Sequence, residues 1–338
     1  MSVPAFLRAL PKVELHVHLV GSASVPTIAR LAARHGAASG VPSDADELAA
    51  FYRFRDFAHF IDVYDAVNTL VSTPADVTDL VTGLARDLAT HGVRYAEVTV
   101  TPHSHVRAGI DPLAVAEALT AGREIARGEH GVDLAWIFDT AGEFGGEYAW
   151  KTLDWVVRHR PTGTVGFGLG GPEIGVARGA FTAQFAAARA EGLHSLPHAG
   201  ETTGPETVWS ALRELRAERI GHGIGAAGDP DLVAHLARER IPLEVCPTSN
   251  VCTGAVGSLG DHPFVELLRA GVPVTLNTDD PGMFGCDLTG EYLVAHEAFG
   301  LSAAELVGVA RTGVEASYCP EPLRGRLLAE LDAAEPPA

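Results

Sequence analysis

Eight short apolar or β-branched runs, each followed by a stretch with helical periodicity, divide this chain. Adjacent parallel strands cannot be joined by a tight turn, so a repeated strand–helix alternation demands a parallel sheet covered by its own crossover helices. The runs lie near Val13–Val17, Val93–Val100, Val132–Phe138, Thr164–Phe167, His194–His198, Arg219–His222, Pro242–Cys246 and Val272–Asn277. Between them, Val77, Leu80, Val81, Leu84 and Leu88 fall on one helical face. Asp111-Pro112 and Asp229-Pro230 pair an N-cap with a proline at the first helical position. Gly271 follows Leu267 and Leu268 as a C-cap. Eight such units predict an α/β fold, a closed (β/α)8 TIM-like barrel. An open doubly wound sheet is the alternative, and no glycine-rich phosphate loop after the first strand supports it.

One connection is too long for a minimal barrel. About 75 residues separate the first two runs, far beyond the usual connection in α/β units. The expectation is one barrel domain over residues 1–338 with a helical insert after the first strand, a lid at about 40–92. Phe51, Tyr52, Phe54, Phe57, Phe60 and Tyr64 crowd into it. Phe57, Phe60, Ile61, Tyr64 and Val67 share one helical face. Such a face packs against the barrel or lines a substrate pocket, and one helix can do both.

Composition narrows the function. Lys and Arg total 25 against 43 Asp and Glu, a net charge of −18. That argues against nucleic acid and anionic membranes as partners. No apolar run of about 18 residues exists, and Met1-Ser2-Val3-Pro4 lacks the basic start and apolar core of a signal peptide. The four cysteines show no CxxC spacing, so a reducing, cytoplasmic setting is expected. Cys246 reads as buried packing. The unusual count is histidine, 15 in all.

In a barrel of this kind polar chemistry sits at the C-terminal ends of the strands. The first strand ends in His16-Val17-His18, the fifth in His198-Ala199-Gly200-Glu201 and the sixth in Gly221-His222-Gly223. The eighth runs into Asn277-Thr278-Asp279-Asp280. His16 and His18, two apart on a strand, point to the same face. With His198 and Asp279 they would hold a divalent ion with room for a water. Glu201, just past a strand end, is a candidate general acid or base, and Asp280 a neighbouring proton acceptor. His103 and His105 stay unassigned. His35, His91, His130, His159 and His235 read as surface residues of helices.

Taken in order, five words resemble the adenosine deaminase branch of the metal-dependent amidohydrolases. They are Pro11-Lys12-Val13-Glu14-Leu15-His16-Val17-His18-Leu19, His198-Ala199-Gly200-Glu201, Arg219-Ile220-Gly221-His222-Gly223, Cys246-Pro247-Thr248-Ser249-Asn250 and Asn277-Thr278-Asp279-Asp280-Pro281. The resemblance spans almost the whole chain. It implies one Zn²⁺ per subunit on His16, His18, His198 and Asp279, and hydrolytic replacement of an adenine 6-amino group with release of ammonia. It implies that Glu201 protonates the ring nitrogen N1, that His222 and Asp280 orient the attacking water and shuttle its proton, and that Gly171 contacts the purine through its backbone. The cytidine-type zinc deaminase motif, H-x-E with PCxxC, is absent.

Two departures bear on the substrate. Adenosine deaminases of this branch read His-x-His-Leu-Asp-Gly, where the Asp meets the ribose 5′-hydroxyl; here Val20 stands at that place in His18-Leu19-Val20-Gly21. An unpaired hydroxyl there would cost about 1–3 kcal/mol. After the fourth strand the family's Asp-Leu-Ala-Gly-Asp-Glu becomes Gly168-Leu169-Gly170-Gly171-Pro172-Glu173, which removes negative charge. Both changes suit an adenine nucleoside extended at the 5′ position. Within the family this resembles the aminodeoxyfutalosine deaminases of menaquinone biosynthesis, which convert 6-amino-6-deoxyfutalosine, with its benzoate-bearing arm, to futalosine. Arg53 and Arg55 are the candidates to pair the arm's carboxylate. The alternatives are an adenosine deaminase, an adenine deaminase acting on the free base, and a non-catalytic binding module. The partner expected is thus a small purine nucleoside; the oligomeric state is left open.

Overall fold

Strands buried on both faces, as parallel barrel strands are, read as continuous apolar runs. All eight predicted runs are strands in the computed structural model of the protein, which describes residues 2–35 and 39–337. They are β1 (Lys12–His18), β2 (Val93–Val100), β3 (Asp133–Ala141), β4 (Thr164–Gly170), β5 (His194–Ala199), β6 (Ile220–His222), β7 (Leu243–Val245) and β8 (Val274–Leu276). Their order in the sheet is their order in the chain, and every pairing is parallel. A bridge between Val17 and Asp279 closes the ring. There the His18 N–H donates to the Asp279 carbonyl at 2.8 Å, and the Asp279 N–H donates to the His16 carbonyl at 3.0 Å. The seam of the barrel therefore runs through three of the four candidate metal ligands.

The crossover helices start where expected. Asp111 caps helix Pro112–Ile125 by accepting from the backbone of Leu113 and Ala114, and Asp229 caps Pro230–Glu239 in the same way. A short N-terminal helix, Val3–Ala9, has no counterpart in the sequence expectation. It buries Phe6 and Leu7. Its last carbonyls are met by the buried Lys12 ammonium, which donates to Leu7 O at 2.5 Å and Leu10 O at 2.8 Å. Burial lowers the Lys12 pKa to about 7.

The long connection after β1 holds helices Val25–His35, Ala45–Phe51, Phe57–Asn68 and Pro74–Thr90. The last of these is an ordinary crossover helix: Val77, Leu80, Val81, Leu84 and Leu88 are all buried along its barrel-facing side. Helix Phe57–Asn68 lies over the C-terminal mouth of the barrel. Its Phe60 ring and that of Phe54 sit 5.2 and 5.7 Å from Phe284, which follows β8. Aromatic packing thus ties the covering segment to the rim.

Candidate active site

The four candidate ligands converge. One ligand atom from each of His16, His18, His198 and Asp279 lies within 4.8 Å of the others. His18 Nε2 and His198 Nε2 face each other at 3.2 Å, and Asp279 Oδ1 is 3.4 Å from His16 Nε2 and 3.3 Å from His18 Nε2. The donor set is three imidazoles and a carboxylate, which suits a zinc-like ion. Two features of the protein groups fit such a cation. The buried His16 Nε2 has no hydrogen-bond partner. Burial works against protonating His16, yet the neighbouring carboxylates of Asp279 and Glu244 drive its pKa up to about 10. The cluster is short of positive charge, which a divalent ion supplies.

His16 is aimed from behind. Its Nδ1 meets Glu244 Oε2 at 3.0 Å, and Glu244 Oε1 accepts from Arg219 Nε at 2.6 Å. Arg219 donates in turn to Glu97, whose other oxygen accepts from the Tyr318 N–H at 2.6 Å. This buried chain holds Nδ1 outward and leaves Nε2 for the cluster. Gly221 makes room for it: a Cβ there would come within 2.7 Å of the His16 ring.

His222 has its tautomer set by a second chain. The Phe264 N–H donates to His262 Nδ1 at 3.1 Å, so His262 Nε2 carries the proton and donates to Asn250 Oδ1 at 3.2 Å. The Asn250 amide then donates to His222 Nδ1 at 3.1 Å. His222 Nε2–H therefore points into the site, 3.7 Å from Glu201 Oε2 and 3.9 Å from Asp279 Oδ2. Burial, reinforced by the neighbouring His16, pushes its pKa down to about 3, so the ring is a neutral donor. Both His222 and Asp279 hold positive φ, 59° and 65°, where non-glycine backbone is strained.

Glu201 is buried, and burial followed by repulsion from Asp279 pushes its carboxyl well above the usual range. A carboxyl held neutral can donate a proton. Its position is fixed by Glu173, a residue the sequence reading gave no role. The Glu173 carboxylate accepts from the backbone N–H groups of Gly200, Glu201, Thr202 and Thr203 at 2.6, 2.9, 2.7 and 3.2 Å. Arg178, itself buried, stands 3.8 Å behind it. Asp280 keeps one buried oxygen, Oδ1, without a partner. It lies against Gly21, where any Cβ would fall 1.6 Å from that oxygen. Burial and then Asp279 raise its pKa well above that of an ordinary aspartate.

Above the cluster opens a cleft of about 730 Å³, counting its part open to solvent. His18, His198, Glu201, His222, Asp279 and Asp280 form its floor, and Gly171 lies on its wall. Phe57, Phe60, Ile61, Tyr64 and Phe144 supply an apolar wall, so the aromatic insert both packs and lines. Three acids there were missed: Asp65, Asp139 and Glu143. Asp139, near the C-terminal end of β3 and bonded by Thr101 Oγ1 at 2.5 Å, obeys the strand-end rule and could have been found by it. Two sequence candidates lie apart. Val20 is packed in the core and does not line the cleft, and Arg55, like Arg53, is exposed and outside the lining.

Residues 11–334 match the family model described as adenosine deaminase. The chain is 56% identical over 330 residues to the aminodeoxyfutalosine deaminase of Streptomyces coelicolor, a match covering 97% of this chain and 85% of that protein. Among solved structures, it is similar to an adenine deaminase from Arthrobacter aurescens, with a TM-score of 0.91, 30% identity, and 96% and 99% of the two chains covered. It is also similar to an amidohydrolase from Burkholderia ambifaria with bound Zn, with a TM-score of 0.89, 26% identity, and 99% and 94% coverage.

Proposed function

This chain belongs to the adenosine deaminase family, and we propose that it hydrolyses the 6-amino group of a 5′-extended adenine nucleoside, aminodeoxyfutalosine, to a 6-oxo group with release of ammonia. It is a hydrolase acting on a C–N bond. The observation that carries the reading is the meeting of a three-histidine, one-aspartate cluster with a buried, proton-bearing Glu201 at the floor of one cleft.

His16, His18, His198 and Asp279 would hold Zn²⁺. When bound, the ion supplies the Lewis acidity that makes water nucleophilic near neutral pH. The protein's own groups do the rest. The Glu201 carboxyl gives its proton to the ring nitrogen next to C6, which draws electrons from that carbon. Asp280, with one carboxyl oxygen free of hydrogen bonds among the described residues, takes the proton that the attacking water loses. The His222 Nε2–H donates to the oxygen arriving at C6 and fixes its line of approach. Asp280 passes the water's proton on to the amine, which leaves as ammonia, and the proton remaining on the C6 oxygen returns to the Glu201 carboxylate. Gly171, at φ 79° and with Glu143 Oε2 only 2.4 Å from where a Cβ would stand, lets backbone rather than side chain face the purine.

The extended substrate is supported by the 56% identity to a relative of that name and by the aromatic wall above the floor. A flat aromatic arm buries apolar area against such rings. The alternative, a free adenine base, is carried by the adenine deaminase of similar structure. Chelation followed by metal return tests the chemistry. Ammonia release from an adenine-ring substrate should fall at least about 100-fold on chelation and return with about one equivalent of Zn²⁺. Full turnover in the chelated protein would refute the assignment.

A further inference from the structure

The cleft floor is described above; its mouth has a chemistry of its own. The protein is strongly acidic, and among the described residues no lysine or arginine lines the cleft itself. Yet cations gather at one edge of the opening. Helix Pro102–Arg107 follows β2 and places Ser104 in the cleft wall. Three residues on, Arg107 lies on the same helical face. Its guanidinium sits 5.2 Å from the centre of the Phe144 ring, the ring that forms the outer apolar wall. Next to Phe144, at 4.9 Å, is Tyr148, whose buried hydroxyl faces Ser104 and Arg107. His103 packs edge-on against Tyr148 at 4.8 Å, and Lys151 and Arg107 both act on it electrostatically.

We propose that this edge is an anion subsite in which Arg107 binds a carboxylate at the far end of the substrate's arm, with Phe144 stacking on the arm. The assignment rests on the 5′-extended substrate reading and names the residue that meets the arm's carboxylate. Arg107 is an exposed guanidinium already oriented by a ring, which lowers the ordering cost of a carboxylate contact. Phe144 offers both an apolar face to the arm and a cation-holding face to Arg107. Of the acids in the wall, Asp65 lies within electrostatic reach of Arg107 and competes with the arm's carboxylate for it. Arg107 stands outside the lining, as do Arg53 and Arg55, but among the described residues it is the one of the three whose guanidinium packs on a lining ring.

The test compares the free acid of the 5′-extended substrate with its neutral methyl ester, in the zinc-loaded full chain. The wild type should prefer the acid in kcat/KM. Arg107→Gln should reduce that preference about tenfold, through KM rather than kcat, which is the size of one charge-assisted hydrogen bond. Arg107→Lys should restore part of it, and added salt should weaken it because the site is exposed. Arg55→Gln is the contrasting arm and should not alter the acid–ester ratio. A ratio unchanged in Arg107→Gln overturns the subsite, as does a ratio lost in Arg55→Gln alone. If the wild type turns over adenosine better than the acid, the substrate reading itself has failed.

Discussion

At the residue scale, protonation states carry the chemistry. Glu201 and Asp279 are both buried carboxylates a short distance apart, yet they are pushed in opposite directions. Burial raises both, but the His16 and His18 imidazoles, 3.4 and 3.3 Å from its Oδ1, overcome it at Asp279 and hold that carboxyl well below its usual range. Glu201 has no such partner; its nearest hydroxyl contact is Thr253 Oγ1 at 3.5 Å. One group is thus a permanent anion suited to a metal, and the other a proton donor. Glu201→Gln keeps the shape and removes the proton. It should lower kcat by about 10²–10⁴ while zinc content, measured by atomic absorption, stays at one per chain. Normal turnover would remove Glu201 from the acid role.

Elements position these groups, and the loop after β5 shows how. Four successive N–H groups point at one carboxylate, Glu173, donated by the loop after β4. Glu173→Ala leaves them without their acceptor, at about 1–3 kcal/mol for each that stays dry. The variant should melt at lower temperature, exchange amide hydrogens faster across residues 200–203, and lose more in kcat than in KM. Unchanged exchange there would show that the clamp is dispensable. Such a clamp is hard to read in sequence because its partners lie 27 to 30 residues apart and join only through the barrel. The strand ends were legible for the opposite reason. A period-2 pattern puts His16 and His18 on one face without any knowledge of the rest of the fold. Arg53 and Arg55 are near the aromatic run in sequence, but the chain there presents them to solvent. Val20 holds the motif place that the resemblance ties to substrate, yet it is buried in the core.

For the whole molecule, the same burial that tunes the site makes the fold sensitive to acid. His105, on the helix after β2, is buried with its Nδ1 unpartnered, and burial lowers its pKa to about 4 from 6.5. Between those values the unfolded chain binds a proton that the folded chain does not. Stability therefore falls as pH drops from about 6.5 to 4, by at most about 3 kcal/mol from this residue. Urea midpoints taken at pH 7, 6 and 5 should decline, and His105→Asn should flatten that slope whatever it does to stability at pH 7. An equal slope in both proteins would assign the acid sensitivity elsewhere.

The barrel, the cluster, the neutral acid and the aromatic wall join into one expectation, that the zinc-loaded protein deaminates an adenine nucleoside with a long 5′ arm in preference to smaller purines. Steady-state kcat/KM for aminodeoxyfutalosine, adenosine and adenine, measured side by side by ammonia release, decides it. The extended nucleoside should exceed both others by at least about tenfold. Adenosine or adenine turned over as well or better would contradict the assignment of the cleft.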